Sequence, residues 1–74
     1  MARAFIGAVA CAVTADRDLG ETWAVSVIPS PPARRGEPHL PPMVVKLVGA
    51  DREKVIRGAL EILRERGQID RYEL

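Results

Sequence analysis

All six prolines of this 74-residue chain fall within one stretch, residues 29–42, which we call the Pro-rich segment. Proline lacks a backbone N–H and fixes φ, so such a segment continues neither a sheet ladder nor a helix. Regular structure is therefore confined to the residues before and after it. Prolines at this density favour a stiff, extended backbone. A loop of this length is uncommon in a compact domain and usually has a function or is disordered.

Two roles for the Pro-rich segment follow from its composition. It carries an Arg-Arg pair and the only histidine of the chain. A stiff arm loses little conformational entropy on binding, which favours a loop that contacts a partner. On this interpretation the binding residues are Arg34, Arg35, Glu37 and His39. The alternative is a connector that carries the crossover, with prolines that only protect the edges of the second and third strands.

The size of the chain predicts a single domain, residues 1–74, that needs additional stabilisation. A core this small rarely gives more than about 3–5 kcal/mol without a disulfide, a metal or a partner chain. Cys11 is the only cysteine, which excludes an intramolecular disulfide and a zinc site with several thiolates. We therefore expect a homodimer, formed through a sheet face or a sheet edge.

The charge is almost balanced, with a formal net charge of +1. This balance provides no general attraction to nucleic acid or to a membrane surface. Nine arginines against two lysines, with no asparagine, indicate a GC-rich bacterial or phage genome. Residues 1–15 have the outline of a secretory signal, but one basic residue and an Ala-rich run fit such a signal poorly. We expect a cytoplasmic protein without a membrane-spanning segment.

Alternating side chains before the Pro-rich segment predict a β-hairpin. The first strand is expected over Ala4–Thr14, followed by a turn at residues 16–20 and a second strand over Glu21–Ile28. In the first strand the bulky residues fall at odd positions and alanines at most even ones. The expected core positions of the two strands are Phe5, Val9, Cys11, Val13, Trp23, Val25 and Val27.

The residues after the Pro-rich segment predict a strand, a helix and a short final strand. Met43–Val48 alternates in the manner of a strand, and Ile69–Leu74 is the final strand. Between them, Asp51–Arg66 has apolar residues at helical spacing, with Asp51 as the N-cap and Gly67 as the left-handed residue after the helix. The helical residues expected in the core are Val55, Ile56, Ala59, Leu60, Ile62 and Leu63.

These elements predict an α+β fold of two layers. A four-stranded, mostly antiparallel sheet in the order β-β-β-α-β is covered on one face by the amphipathic helix. The strands on either side of the helix are expected to run parallel. The uncovered face is expected to carry small side chains and to be either solvated or a dimer or partner surface. Its residues are Ala8, Ala10, Ala12, Thr22, Ala24 and Ser26.

The residues with chemical potential do not form a catalytic or metal-binding pattern. Cys11 is expected mid-strand as a small buried hydrophobic residue. The run Asp16-Arg17-Asp18-Leu19-Gly20-Glu21 is half the length of a calcium loop. His39 is distant from Cys11 in the sequence. We therefore expect no enzymatic activity, no metal and no cofactor.

By elimination, the sequence predicts a non-enzymatic binding protein. The main hypothesis is an inhibitor or regulator that contacts a larger protein or nucleoprotein complex, in the manner of anti-defence (anti-CRISPR-like) proteins of phages or of antitoxins. The alternative is a nucleic-acid-binding regulator. Direct nucleic-acid binding is less favoured because Phe5 and Trp23 fall on the expected core face, where they could not stack on bases.

Overall fold

The computed structural model describes residues 2–31, 36 and 40–74. Over these residues the chain forms five strands and one helix. These are β1 (Arg3–Ile6), β2 (Val9–Arg17), β3 (Thr22–Pro29), β4 (Met43–Val48), α1 (Arg52–Glu65) and β5 (Arg71–Glu73). The strands form one sheet in the order β4-β3-β2-β1-β5, and every neighbouring pair is antiparallel. The α+β class with one helix is confirmed, but the prediction of four strands is wrong.

The additional strand arises because the expected first strand, Ala4–Thr14, is a hairpin of two strands. Gly7 and Ala8 form the loop between β1 and β2, and Ile6 lies opposite Val9. Gly7 has φ 58° and Ala8 a negative φ, the combination that a two-residue type II′ loop requires. A side chain at Gly7 would be strained in this conformation. The sequence does not reveal this turn, because Ile6 and Ala8 on either side of Gly7 continue a strand-like apolar pattern.

The hairpin reverses which residues of β1 face the helix. In an uninterrupted strand, Phe5 would share a face with Val9 and Cys11. In the hairpin, Ala4 lies opposite Cys11 and Phe5 lies opposite Ala10. Residues directly opposite in an antiparallel pair project to the same side. Ala4 is therefore fully buried under the helix, and the prediction that Phe5 belongs to the core is wrong.

The helix begins and ends where its local signals predict. Asp51 has an extended backbone, and its Oδ1 accepts a hydrogen bond from Glu53 N at 2.9 Å. At the other end Gly67 has φ 75°, and Gln68 N donates to Leu63 O at 2.9 Å. This bond, with Gly67 N to Arg64 O, forms a Schellman motif that satisfies the last helical carbonyls.

The core lies between α1 and the face of the sheet that α1 covers. One part of the core packs Val55 and Ala59 against Trp23 and Val25. The other part of the core contains Ala4, Cys11, Val27, Ile56, Leu60, Leu63 and Ile69. The expected burial of Cys11, of alternate residues in β3 and of the apolar stripe of the helix is confirmed, except that Ile62 is only partly buried.

The connection from β4 to α1 is held against β3. Trp23 Nε1 donates to Gly49 O at 2.7 Å. A Cβ at Gly49 would lie 2.7 Å from Val55 Cγ2, so only glycine lets the helix approach this closely.

The strands before and after α1 run in the same direction, because four antiparallel steps separate them, but they form opposite edges of the sheet. No helix in the described residues is long and apolar enough to cross a membrane.

Candidate binding face

The face of the sheet away from α1, which we call the open face, is formed by alternate residues of all five strands. The β3 residues at even positions project here, because Trp23, Val25 and Val27 project into the core. The register then assigns the facing residues of the other strands. The open face consists of Arg3, Phe5, Ala10, Ala12, Thr14, Asp16, Thr22, Ala24, Ser26, Ile28, Val44, Lys46, Val48, Arg71 and Glu73.

The centre of the open face is lined by small side chains from β2 and β3. Thr14 lies opposite Ser26, and Ala12 lies opposite Ile28. Ala10, Ala12 and Thr14 are exposed, whereas Thr22, Ala24 and Ser26 are partly shielded by neighbouring strands. Because these small side chains project little from the sheet, another molecule can approach the backbone of the sheet closely here.

The β4 side of the open face is apolar. Val44 is 58% exposed and Val48 74% exposed, and Ile28 of β3 is also exposed. Lys46 lies between the two valines, with its Nζ 3.9 Å from Asp18 Oδ2. Single exposed apolar residues are normal on a protein, but these three belong to adjacent strands of one face. Val44 is a diagonal neighbour of Ile28, whereas Lys46 separates Val48 from both, so these exposed apolar residues flank a charged pair.

The β5 side of the open face contains an aromatic ring covered by a cation. The Arg71 guanidinium carbon lies 3.9 Å from the centroid of the Phe5 ring, within cation–π range. Arg71 Nη1 also donates to Glu73 Oε1 at 3.2 Å. Arg3 lies opposite Glu73 on the same face. Positive and negative side chains therefore alternate around Phe5.

The predicted binding residues fall into two groups. Arg34, Arg35, Glu37 and His39 lie outside the described residues. Of the predicted surface residues, the structure brings five together on the open face: Ala10, Ala12, Thr22, Ala24 and Ser26. Ala8 was expected with them but lies in the β1–β2 loop, where it is exposed.

Three prominent residues of the open face were not among the predicted surface residues. Phe5 was assigned to the core because the turn at Gly7 was not recognised. Val44 and Val48 lie at even positions of β4, opposite Ser26 and Thr22. The sequence did indicate that the two valines face away from the core. Val44 and Val48 occupy even positions of β4, as Lys46 does, whereas the expected core residues of this strand occupy odd positions.

The opposite side of the molecule links the helix to β5 through polar side chains. Tyr72 Oη donates to Glu61 Oε2 at 2.7 Å, and Arg64 Nε donates to Glu61 Oε1 at 3.1 Å. The hydrogen bond from Arg64, followed by that from Tyr72, lowers the pKa of Glu61 to about 2. The same contact with Glu61 raises the pKa of Tyr72. This network fixes the short last strand against α1.

The buried thiol is not part of any polar cluster in the described residues. Cys11 is 2% exposed, and burial raises the pKa of its thiol, which disfavours the reactive thiolate. Among the residues that the structure describes, no three His, Cys, Asp or Glu side chains come together in a way that could hold a metal ion.

Comparisons of the chain with protein-family models, with curated proteins and with solved structures found no match.

Proposed function

We propose that this protein is a non-enzymatic inhibitor or regulator that contacts a larger protein, alone or within a nucleoprotein complex, through the open face. The observation that carries the proposal is the five-stranded sheet with α1 on one side only and three exposed apolar residues on the other. Val44, Val48 and Ile28 are β-branched residues that would lose exposed apolar surface on contact with a protein. The small residues beside them admit a close approach. The proposal places the protein in the cytoplasm.

The Pro-rich segment adds a second potential contact in this proposal. It joins β3 to β4, the two strands that carry the three exposed apolar residues. A partner that covers Ile28 and Val44 is therefore within reach of the chain on both sides of the segment. Arg34 and Arg35 would supply bidentate contacts to carboxylates of the partner.

A nucleic-acid-binding regulator is the second candidate, and one observation favours it. Phe5 lies on the open face, with Arg71 stacked on its ring and Arg3 nearby. A guanidinium on an aromatic ring is a surface on which an unpaired base can stack. The adjacent Glu73 carboxylate contacts Arg71 and repels phosphate, which is why a protein partner is favoured.

The test is affinity capture from cells of a GC-rich bacterium with tagged protein, followed by binding measurements on the captured partner. Ser26→Glu places a carboxylate at the centre of the open face. We expect it to weaken binding at least about tenfold, because a buried unpaired charge costs more than 1.4 kcal/mol. Gln68→Glu is the matched control: it adds the same charge at an exposed position in the loop after α1, and should bind as the parent protein does.

The salt dependence separates the two candidates. Affinity for nucleic acid should fall steeply and linearly on a log–log plot of affinity against salt, whereas an apolar protein contact should change little. Equal binding by Ser26→Glu and Gln68→Glu would exclude the open face as the contact surface. Unaltered melting of both variants is required for either conclusion.

A further inference from the structure

The outer edge of β4 presents backbone groups that no strand in the described part of the chain pairs with. β4 is the last strand on its side of the sheet. Gly49 N donates to Glu21 O at 2.9 Å, just beyond the Thr22–Val48 pair of the β3–β4 register. Hydrogen-bonded and non-hydrogen-bonded pairs alternate in an antiparallel ladder. The Gly49–Glu21 bond makes Thr22–Val48 a non-hydrogen-bonded pair, and Val44 and Lys46 occupy the same alternate positions of β4. The backbone N–H and C=O groups of Val44, Lys46 and Val48 therefore point away from β3.

An apolar groove runs beside the end of this edge, on the helix side. It has a volume of about 420 Å³ and lies between the end of β4 and the first turns of α1. Its walls include Leu47, Gly49, Ala50, Val55 and Gly58. Gly49 lies directly against the helix at this groove, since a Cβ there would be 2.7 Å from Val55 Cγ2. A strand added to β4 would project its inward side chains toward this groove.

We propose that the occupant is β4 of a second copy of the chain, added antiparallel about a twofold axis at Lys46. The two sheets then form one continuous sheet, with both helices on one side and both open faces on the other. The inference is independent of the proposed function, because it concerns the edge of the sheet and not the partner of its open face.

The register follows from the backbone groups of β4 that point away from β3. With the axis at Lys46, each copy's Val44 lies opposite the other's Val48, and all three outward-facing residues of each strand form hydrogen-bonded pairs. An axis at Val45 places Val48 opposite Pro42, which has no N–H to donate. An axis at Leu47 moves Val44 beyond the end of the opposing strand. If the register shifts by one residue, the outward-facing backbone groups of one strand lie opposite residues of the other whose backbone groups already bond to β3.

The side chains are self-complementary in this register. On the open face, two Val44–Val48 pairs bring exposed apolar groups together across the strands. On the helix side, Val45 of each copy lies opposite Leu47 of the other. Met43, which is partly buried and flexible, comes opposite the second copy's Gly49, at the groove. A second copy thus supplies both the strand and the side chain that the edge can accept.

The pairing has one unfavourable element, and this makes it testable. The two Lys46 side chains face each other at the axis, and like charges directly opposite each other destabilise a sheet. Each Lys46 Nζ lies 3.9 Å from its own Asp18 carboxylate, which offsets part of the repulsion. We expect dimerisation to strengthen as salt rises from about 0.1 to about 1 M, over which the Debye length falls from roughly 10 to roughly 3 Å.

Disulfide cross-linking tests the register. Residues of a hydrogen-bonded pair have Cα atoms about 5.5 Å apart, within the range of a disulfide. Lys46→Cys should therefore form a covalent dimer under mild oxidation. In Val44→Cys the two new thiols would be offset by four residues, about 13 Å, and should not cross-link. Cys11 is buried and identical in both variants. Cross-linking of both variants alike, or of neither, would refute the register.

Sedimentation equilibrium tests the dimer itself. We expect a mass that rises with concentration from 8.1 kDa toward twice that value. Lys46→Thr should bind itself roughly two- to fivefold more tightly, the range of a removed like-charge pair. Val44→Pro removes an N–H that faces outward, so it should keep the fold and remain monomeric. Monomers for both the parent and Lys46→Thr would overturn the proposal, as would a dimer that Ser26→Glu abolishes and Val44→Pro does not.

Discussion

Replacing Ala4 by leucine tests the β1–β2 hairpin in the most direct way. Ala4 is fully buried beside Cys11, Leu60 and Leu63, so the additional carbons have no open space to occupy. Adding such volume to a packed core costs about 1–3 kcal/mol. A core of this size rarely provides more than about 3–5 kcal/mol. Ala4→Leu should therefore remove a large fraction of the stability, and Tm should fall by about 4–8 °C per kcal/mol.

The matched control is the same substitution at Ala10, in the neighbouring strand. Ala10 is exposed on the open face opposite Phe5, so Ala10→Leu should change stability by no more than about 0.5 kcal/mol. Both variants are unfolded with urea at one protein concentration. Circular dichroism reports the secondary structure, and the fluorescence of buried Trp23 reports the core.

The comparison is decisive because an uninterrupted strand predicts a different result. Ala4 and Ala10 are both at even positions, so in one continuous strand they would share a face and respond alike. In the hairpin they lie on opposite faces. Equal losses of stability, or a larger loss for Ala10→Leu, would show that the turn at Gly7 is wrongly placed.

Two further predictions concern the helix. Leu60→Ala should lower the free energy of unfolding by about 2–5 kcal/mol because Leu60 is fully buried. Leu19→Ala, at an 80% exposed position, should change it by no more than about 0.5 kcal/mol. Urea midpoints measure both effects, and similar values would place the core elsewhere. Glu61 has its pKa lowered to about 2, so the stability that its hydrogen bonds from Arg64 and Tyr72 provide is present above the ordinary value of 4.5 and lost as pH falls toward 2. The difference in stability between the parent and Glu61→Gln should shrink as pH falls from 4.5 toward 2. A constant difference would contradict the lowered pKa of Glu61.

The helix could be predicted from the sequence because every signal that defines it is local. The apolar residues recur at helical spacing, Asp51 precedes the first turn, and Gly67 follows the last. The placement of the β3 residues Ala24 and Ser26 on the open face was predictable for the same reason. Trp23, Val25 and Val27 alternate with the small residues Ala24 and Ser26, which allows only one face to be the main core face.

The β1–β2 hairpin could not be predicted, because its two faces are similar in hydrophobicity. From Ala4 to Val13 the chain has no charged residue that would distinguish a solvated from a buried side. Register is weakly specified where both faces of a strand accept apolar residues. Gly7 was the only signal, and an isolated glycine in a strand also indicates a bulge. Because the turn at Gly7 was not predicted, Phe5 was expected in the core, although it lies on the open face.

The open face and the β4 edge depend on the same three residues in different ways. Val44, Lys46 and Val48 direct their side chains to the open face and their backbone groups away from β3, toward the edge. Pairing at the edge therefore does not cover the open face. It places one Val44–Val48 pair on each side of the two Lys46 residues at the axis, at the middle of a surface twice as wide. A partner that contacts one open face would bind each copy alone, whereas a partner with two equivalent sites would gain from both at once through effective concentration. The edge thus sets how many contact surfaces one assembly presents, and the side chains of the face set what each surface can bind.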